Sequence, residues 1–306
     1  MVTSVSFSRL RSPSRRWRPS SSWVWTVLGG LAIPLWATWP ALSLQTHDIP
    51  ALECLTIVFL VAWLASSPLE RALVPAESEP PSWRWWIPAT AFALAETGSA
   101  GFFLLATRHI AAAEANLIVY LWPAIVACLG ALLGIFQLRP RHIAGLALGF
   151  AGVAILIGGA ELSLSYVGMG LAFLAGLSWA LYCVLRLKWR GATGPLLARG
   201  FGIATFLCAG LHFAIEPTVL PKLGSAAAAT AAGIVPTAIA NVAWDEGFRK
   251  GDSRLLAVMA YATPLCSVLL LIVLGLESFT WKLLFGATVI VMAGVMSRAE
   301  SWKNRP

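Results

Sequence analysis

Charge is the scarcest commodity in this chain. Charged residues make up 12% of its 306 residues, against roughly 25% in soluble domains. A soluble protein of this length cannot hide 58% apolar residues from water, so lipid must be the solvent for most of the surface. Chemistry-bearing motifs are missing too. No GxSxG, HExxH or P-loop pattern is present, so catalysis and ATP hydrolysis have no support in the sequence. The five cysteines, Cys54, Cys128, Cys183, Cys208 and Cys266, form no CxxC pair, and all fall in apolar stretches. They read as small hydrophobes rather than disulfide or metal partners. The four histidines, His47, His109, His142 and His212, have no metal-ligand spacing. No metal and no cofactor are expected. Long polar linkers are lacking as well. The longest polar stretches, 70–84 and 188–199, read as loops, so no soluble domain is expected.

What is present is apolar sequence in long runs. A membrane helix needs about 20 mostly apolar residues. Ten such segments can be counted, near 23–44, 51–68, 85–106, 110–135, 143–160, 167–187, 196–215, 226–248, 255–275 and 281–297. Barrel strands would alternate over about ten residues. Runs such as Ala144 to Gly159 show no alternation, so the spans are helices. The net charge of +8 would suit nucleic-acid binding, but the positions of the charges exclude it. With the N-terminus inside, 19 of the 22 Lys and Arg residues fall on the inner face, and only Arg108, Lys222 and Lys282 fall outside. This positive-inside bias supports ten spans with both termini in the cytoplasm. The first 22 residues are rich in Ser and Arg and contain no acid. Transit peptides share that composition, but a cytoplasmic tail that sets orientation already accounts for it.

The apolar sequence is also duplicated. Tyr120-Leu121-Trp122-Pro123 returns as Tyr261-Ala262-Thr263-Pro264, an offset of 141 residues that also carries Arg108 onto Arg249 and Gly145 onto Gly286. Leu35-Trp36-Ala37 pairs with Ser178-Trp179-Ala180 at 143. The repeating unit is therefore five helices, and an odd number forces the second copy upside down. The expected architecture is all-α and membrane-embedded, a five-plus-five inverted repeat with its pseudo-two-fold axis in the membrane plane. It divides into a basic tail (1–22), a first repeat (23–161), a second repeat (167–298) and a short tail (299–306). Duplicated apolar units with prolines in mid-helix point to a transporter.

Pro123 and Pro264 sit within expected helices 4 and 9. Each frees the carbonyl four residues earlier, on Val119 and Ala260, and would act as a bending point beside a central cavity. Tyr120 and Tyr261 place hydroxyls at that depth. Trp83, Trp85, Trp86 and Trp281 suit an interfacial belt. Trp36, Trp122, Trp179 and Trp244 fall in helix interiors and, with Tyr182 a turn from Trp179, could line an aromatic cavity suited to flat side chains or an ammonium group. Glu96, near the middle of helix 3, is a charge that normally faces the bundle interior or water. It reads as a proton site, a partner for a substrate ammonium, or a structural hydrogen-bonding group. Asn241 is a further polar contact. Asp245 and Glu246 read as an ion-paired helix end beside Arg249 and Lys250. Gly145, Gly149, Gly152 and Gly286 suit close helix packing.

Leu35-Trp36-Ala37-Thr38, Tyr120-Leu121-Trp122-Pro123, Trp179-Ala180-Leu181-Tyr182-Cys183 and Ala260-Tyr261-Ala262-Thr263-Pro264 carry a resemblance. From about Trp23 to Ser297 the chain resembles the drug/metabolite transporter superfamily, EamA type. The resemblance implies export of aromatic and other neutral amino acids across the bacterial inner membrane, with helices 1, 3, 4, 6, 8 and 9 lining a basket-like cavity. Trp36, Tyr120, Trp122, Trp179, Tyr182, Trp244 and Tyr261 fall on those helices. The partners expected are the amino acid and the lipid bilayer, with no nucleic acid and no obligate protein partner, hence a monomer. Asp245-Glu246 departs from the more neutral stretch the family would have. An exporter of another metabolite or drug on the same fold is the alternative, weakened by the lack of any carboxylate between Trp23 and Leu44. An integral membrane enzyme acting on lipid would need a cluster of His, Asp or Glu at one interface, which the sequence does not offer.

Overall fold

The structure is a computed structural model, and it describes residues 19–73, 86–134, 140–157, 165–188, 196–251, 256 and 259–298. The tails, apart from 19–22, together with Trp83 and Trp85, lie outside these residues. Among the described residues fourteen α-helices have defined bounds, and there is no strand. They are α1 (Pro19–Gly30), α2 (Ala32–Trp36), α3 (Trp39–Leu44), α4 (Ala51–Leu73), α5 (Trp86–Ala106), α6 (Ala112–Val119), α7 (Trp122–Leu132), α8 (Pro140–Ile157), α9 (Tyr166–Lys188), α10 (Leu196–Ile215), α11 (Leu223–Ala232), α12 (Ala240–Lys250), α13 (Thr263–Val273) and α14 (Trp281–Arg298). A π-helical stretch, Gly233–Ile239, joins α11 to α12, and a 3-10 turn, Ala260–Ala262, precedes α13.

Six helical runs among the described residues are long and apolar enough to cross a membrane: Ser22–Leu44, Ala51–Leu73, Trp86–Ala106, Tyr166–Leu185, Leu196–Ile215 and Leu223–Gly247. They coincide with six of the ten expected segments. The other four are helical but interrupted, shorter, or bounded by residues outside the description. The chain is thus a multi-pass membrane protein. Trp86 and Trp281 lie exposed at helix starts, as an interfacial belt requires.

Pro123 and Pro264 are not in the interior of continuous helices, which corrects the expectation from sequence. The helix containing Pro123 ends at Val119 and restarts at Trp122, and the one containing Pro264 restarts at Thr263 after a 3-10 turn. Each proline occupies the first turn of the new helix. There its missing N–H is one that no intrahelical carbonyl would accept, and its fixed φ suits the start. The same chemistry cuts the first span, where Pro40 opens α3 after the turn at Ala37-Thr38. The two prolines therefore mark finished breaks rather than bends in unbroken helices.

The helix contacts form a pattern. α1 packs on α12, and α5 packs on α9. α5 also meets α10, and α4 meets the π-helical stretch. α6 and α7 lie on α9, while α13 lies on α2 and α3. Exchanging the two repeats turns the first member of each couple into the second. Two further contacts, α4 with α10 and α8 with α14, map onto themselves. The caps repeat too. Gly134 and Gly275, 141 residues apart, follow α7 and α13 with φ of 66° and 68°, and each donates to a carbonyl three residues back at 3.0 Å. A left-handed glycine satisfies orphan carbonyls at a helix end without a Cβ penalty.

Small residues let helices touch. A Cβ on Gly152 would stand 2.9 Å from Ile290 Cγ1 and 3.3 Å from the Gly286 carbonyl oxygen, so α8 approaches α14 closely there. A Cβ on Gly247 would stand 2.4 Å from the Gly29 Cα, so α1 and α12 cross at bare backbone.

Candidate functional site

Three contacts between the sequence repeats gather most of the expected site residues. Asn241 in α12 donates through Nδ2 to Glu96 Oε1 of α5 at 3.3 Å and to the Thr237 carbonyl at 2.8 Å. Thr237 stands at the position that the 141-residue offset assigns to Glu96, so a single amide bridges two matching positions. The π-helical stretch just before α12 contains Pro236. A widened turn shifts the face of the residues beyond it, and such turns recur at functional sites.

Trp244 lies three residues beyond Asn241, on the same face of α12. Its ring meets Trp36 of α2 with centroids 5.1 Å apart and planes tilted by 54°. Phe92 lies one turn before Glu96 on α5, and its ring meets Tyr182 of α9 at 5.2 Å. Trp179 completes this side, 5.5 Å from Tyr182. Trp36, Trp244, Asn241, Glu96, Phe92, Tyr182 and Trp179 thus form one connected band.

Their surroundings differ. Trp36, Glu96, Trp179 and Trp244 are half-buried, so each keeps part of its surface for a visitor. Tyr182 is only 7% exposed and packs into the apolar core with Phe92 and Phe201. The Tyr182 ring meets Phe92 edge-on. Trp122 joins the other core cluster, built on α6, α9, α13 and α14, and is not in ring contact with this band among the described residues.

Tyr120 lies in the break between α6 and α7, and Thr263 opens α13. Thr263 donates to the Ala260 carbonyl at 2.8 Å, the group that Pro264 leaves without its helical donor. The first repeat has Trp122 where Thr263 stands and no such hydroxyl. There the Val119 carbonyl turns to α9, 2.7 Å from where a Cβ on Gly176 would be. Tyr261 occupies the middle of the 3-10 turn, and its side chain, like those of Pro123 and Arg249, lies outside the described residues. Pro264 is buried.

Two residues escaped the sequence reading. Asn116, one turn before Tyr120, is 6% exposed, and its Nδ2 has no hydrogen-bond partner. A polar residue inside an apolar run was the available signal. Trp39 stands where the 143-residue offset places Tyr182, and its ring meets Phe103 at 6.3 Å. At the end of α12, Glu246 pairs with Lys250, as an ion-paired helix end requires. Lys250 also donates to the Leu73 carbonyl at 3.1 Å and lies 4.1 Å from the Trp25 ring centroid. The cysteines are all free thiols. No group of His, Cys, Asp and Glu among the described residues has the spacing to hold a metal.

Comparison with known proteins identifies the family. The profile of the EamA-like transporter family matches twice, over residues 22–158 and 166–298. The aromatic amino acid exporter YddG of Ancylobacter novellus is 32% identical over 274 residues, covering 87% of this chain and 94% of that protein. The exporter of the same name from Escherichia coli is 24% identical over 291 residues, covering 87% and 93%. A solved crystal structure, 29% identical, superposes with a TM-score of 0.69 over 91% of this chain and 98% of its own. Two family matches along one chain, with a relative this similar over nearly its whole length, place the protein among transporters rather than enzymes: the chain belongs to the EamA-like transporter family.

Proposed function

We propose that the protein exports aromatic and other neutral amino acids across the bacterial inner membrane. Ten spans, with both ends in the cytoplasm, form two inverted halves. The substrate passes between the halves by alternating access, bound near the midplane. The observation that carries this reading is the band itself. Glu96 with Asn241, Trp36 with Trp244, and Phe92 with Tyr182 each join one repeat to the other. A substrate entering here would separate partners from different halves, so binding is coupled to their relative position. The half-buried indoles of Trp36 and Trp244 offer π faces to a flat side chain, and the Glu96 carboxylate offers an acceptor to an ammonium group. The YddG relatives support the substrate class.

Purified protein in liposomes should move labelled Phe in preference to Thr, and both ahead of organic cations. A folded protein that moves organic cations but no amino acid would refute the reading and favour a drug exporter on the same fold. The break at Pro123 and that at Pro264 would be the points where the halves bend as one face closes and the other opens.

A further inference from the structure

The α4–α10 pair is closed at both ends by carboxylates that belong to the opposite helix. Glu70, in the last turn of α4 and 5% exposed, accepts from the backbone N–H of Leu197 at 3.1 Å and of Ala198 at 2.9 Å, in the first turn of α10. Glu216, directly after α10, accepts from the N–H of Leu52 at 3.0 Å and of Glu53 at 3.3 Å, in the first turn of α4. Since each first turn meets the other helix's last turn, the two helices run antiparallel. N–H groups of a first turn have no partner inside their own helix, and a carboxylate there also meets the positive end of the helix dipole.

These two caps are copies of each other. The distance in sequence from Glu70 to Glu216 is 146 residues, the same as from Leu52 to Ala198. Between the caps the helices are in tight contact. Phe59 stacks on Phe201 with centroids 6.2 Å apart, and a Cβ on Gly202 would stand 3.2 Å from the Trp63 ring. Further groups surround the Glu216 end. His212, 3% exposed, has Nδ1 3.2 Å from Glu216 Oε2 and Nε2 3.1 Å from Thr218 Oγ1. Glu53 accepts from the Val219 N–H at 3.0 Å.

In a protein built from inverted repeats, the opposite-facing state is reached when the halves exchange conformations. Exchange turns the Glu216 cap into the Glu70 cap and the reverse. Both are made in the same structure, so both are made after exchange. We propose that Glu70 and Glu216 are positioning residues for transport, holding α4 and α10 together at both ends in the inward-facing and the outward-facing state alike, so that the moving helices turn about this pair. The proposal rests on the alternating-access reading above. Movement belongs instead where the copies differ. The Val119 carbonyl lies against Gly176, while the Ala260 carbonyl receives the Thr263 hydroxyl, so the two helix breaks are held by different contacts.

Amide hydrogen exchange on the full chain in lipid nanodiscs tests the proposal. Without ligand, the amides of Leu52 and Glu53 and those of Leu197 and Ala198 should all be protected relative to those of Leu220 and Lys222. Saturating Phe should leave them unchanged while exchange around 118–121 and 260–263 shifts. Glu70→Ala should raise exchange at Leu197 and Ala198 on the order of tenfold, without affecting Leu52 and Glu53, and Glu216→Ala should do the converse. In liposomes Glu70→Ala should lower the maximal rate with KM unchanged, and Glu70→Gln, which keeps an acceptor oxygen, should restore part of it. Loss of protection at one first turn on adding Phe would overturn the proposal, because that end would be a gate. So would unprotected first turns in the ligand-free protein. If the protein does not carry amino acids, Phe will produce neither flux nor any change in exchange. The ligand-free pattern and its response to Glu70→Ala then still decide the role of the caps.

Discussion

Gly176 offers the sharpest test of how the helix break is built. Pro123 denies the Val119 carbonyl its helical donor, and that oxygen is directed at α9. A Cβ on Gly176 would stand 2.7 Å from the Val119 oxygen, 3.3 Å from its Cα and 3.4 Å from its carbonyl carbon. All three atoms are backbone, so no side chain can swing aside to make room. Gly176→Ala should therefore carry an overpacking penalty of about 1–3 kcal/mol. The gain in helix propensity on replacing a glycine is about 1 kcal/mol and partly conceals that penalty. Gly170, on the same helix, supplies the correction, since nothing lies within 4 Å of its Cβ position. Reversible unfolding in mixed micelles should place Gly176→Ala about 1–3 kcal/mol below Gly170→Ala in stability. Pro123→Ala restores an N–H to position 123, which can draw the Val119 carbonyl back into its own helix and away from Gly176. The double variant Pro123→Ala with Gly176→Ala should then be more stable than the sum of the singles predicts, by about 0.5–3 kcal/mol. Equal stability of the Gly176→Ala and Gly170→Ala proteins, or strict additivity in the double variant, would refute the reasoning.

Other outcomes follow from the site and the connecting turns. Trp244→Ala removes the ring facing Trp36 and should raise KM for Phe roughly threefold to tenfold, in line with an aromatic pair of about 0.5–1.5 kcal/mol, while leaving KM for Thr unchanged in the same liposome assay. Glu96→Gln keeps an oxygen that can accept from Asn241, so the protein should fold. If the carboxylate carries the coupled proton, flux should fall only when a pH gradient is imposed, and an equal loss with and without the gradient would assign Glu96 to substrate binding. His47, in the turn between α3 and α4, has its pKa lowered, first by partial burial and then by the Arg108 guanidinium. The folded state thus favours neutral His47, and the unfolded state binds more protons. Its contribution is present above the unfolded value near 6.5 and is lost as pH falls through that value towards the lowered one. The melting temperature of His47→Gln should accordingly depend less on acid pH below about 6.5 than that of the parent.

Much of the fold was legible in the sequence because the bilayer imposes a single solvent on long segments. Backbone polar groups must bond within the segment, so an apolar run without alternation is already a helix. The duplication was legible too, since Tyr, Pro, Arg and Gly keep one spacing. Gly134 and Gly275 keep that same spacing, but their left-handed φ is invisible until the helices end there. The prolines were read correctly as disturbances and incorrectly as interior kinks. Whether a proline bends a helix or opens a new one depends on the partner its freed carbonyl finds, and for Val119 that partner surface is on another helix. Asn116 is overlooked in sequence because a lone amide in an apolar run reveals neither its burial nor its missing partner.

The site shows the same division. Sequence selected Trp36, Glu96, Trp179, Asn241 and Trp244 because polar and aromatic groups in lipid-facing lengths of chain are expensive and need a reason. Which of them meet is a matter of helix pairing. Glu96 and Asn241 are 145 residues apart in the chain, and only the crossing of the two repeats brings one to the other. Tyr182 was chosen by the same rule, and its neighbour Phe92 arrives from α5. By itself the sequence determined that this is a helical membrane protein made of two related parts, since composition and periodicity are properties of the chain. Tertiary structure alone decided that Glu70 and Glu216 cap one another's helices, that Val119 faces Gly176, and that the band from Trp36 to Trp179 is continuous. Each of these depends on which surfaces touch, and surfaces far apart in the chain touch only once the helices have packed.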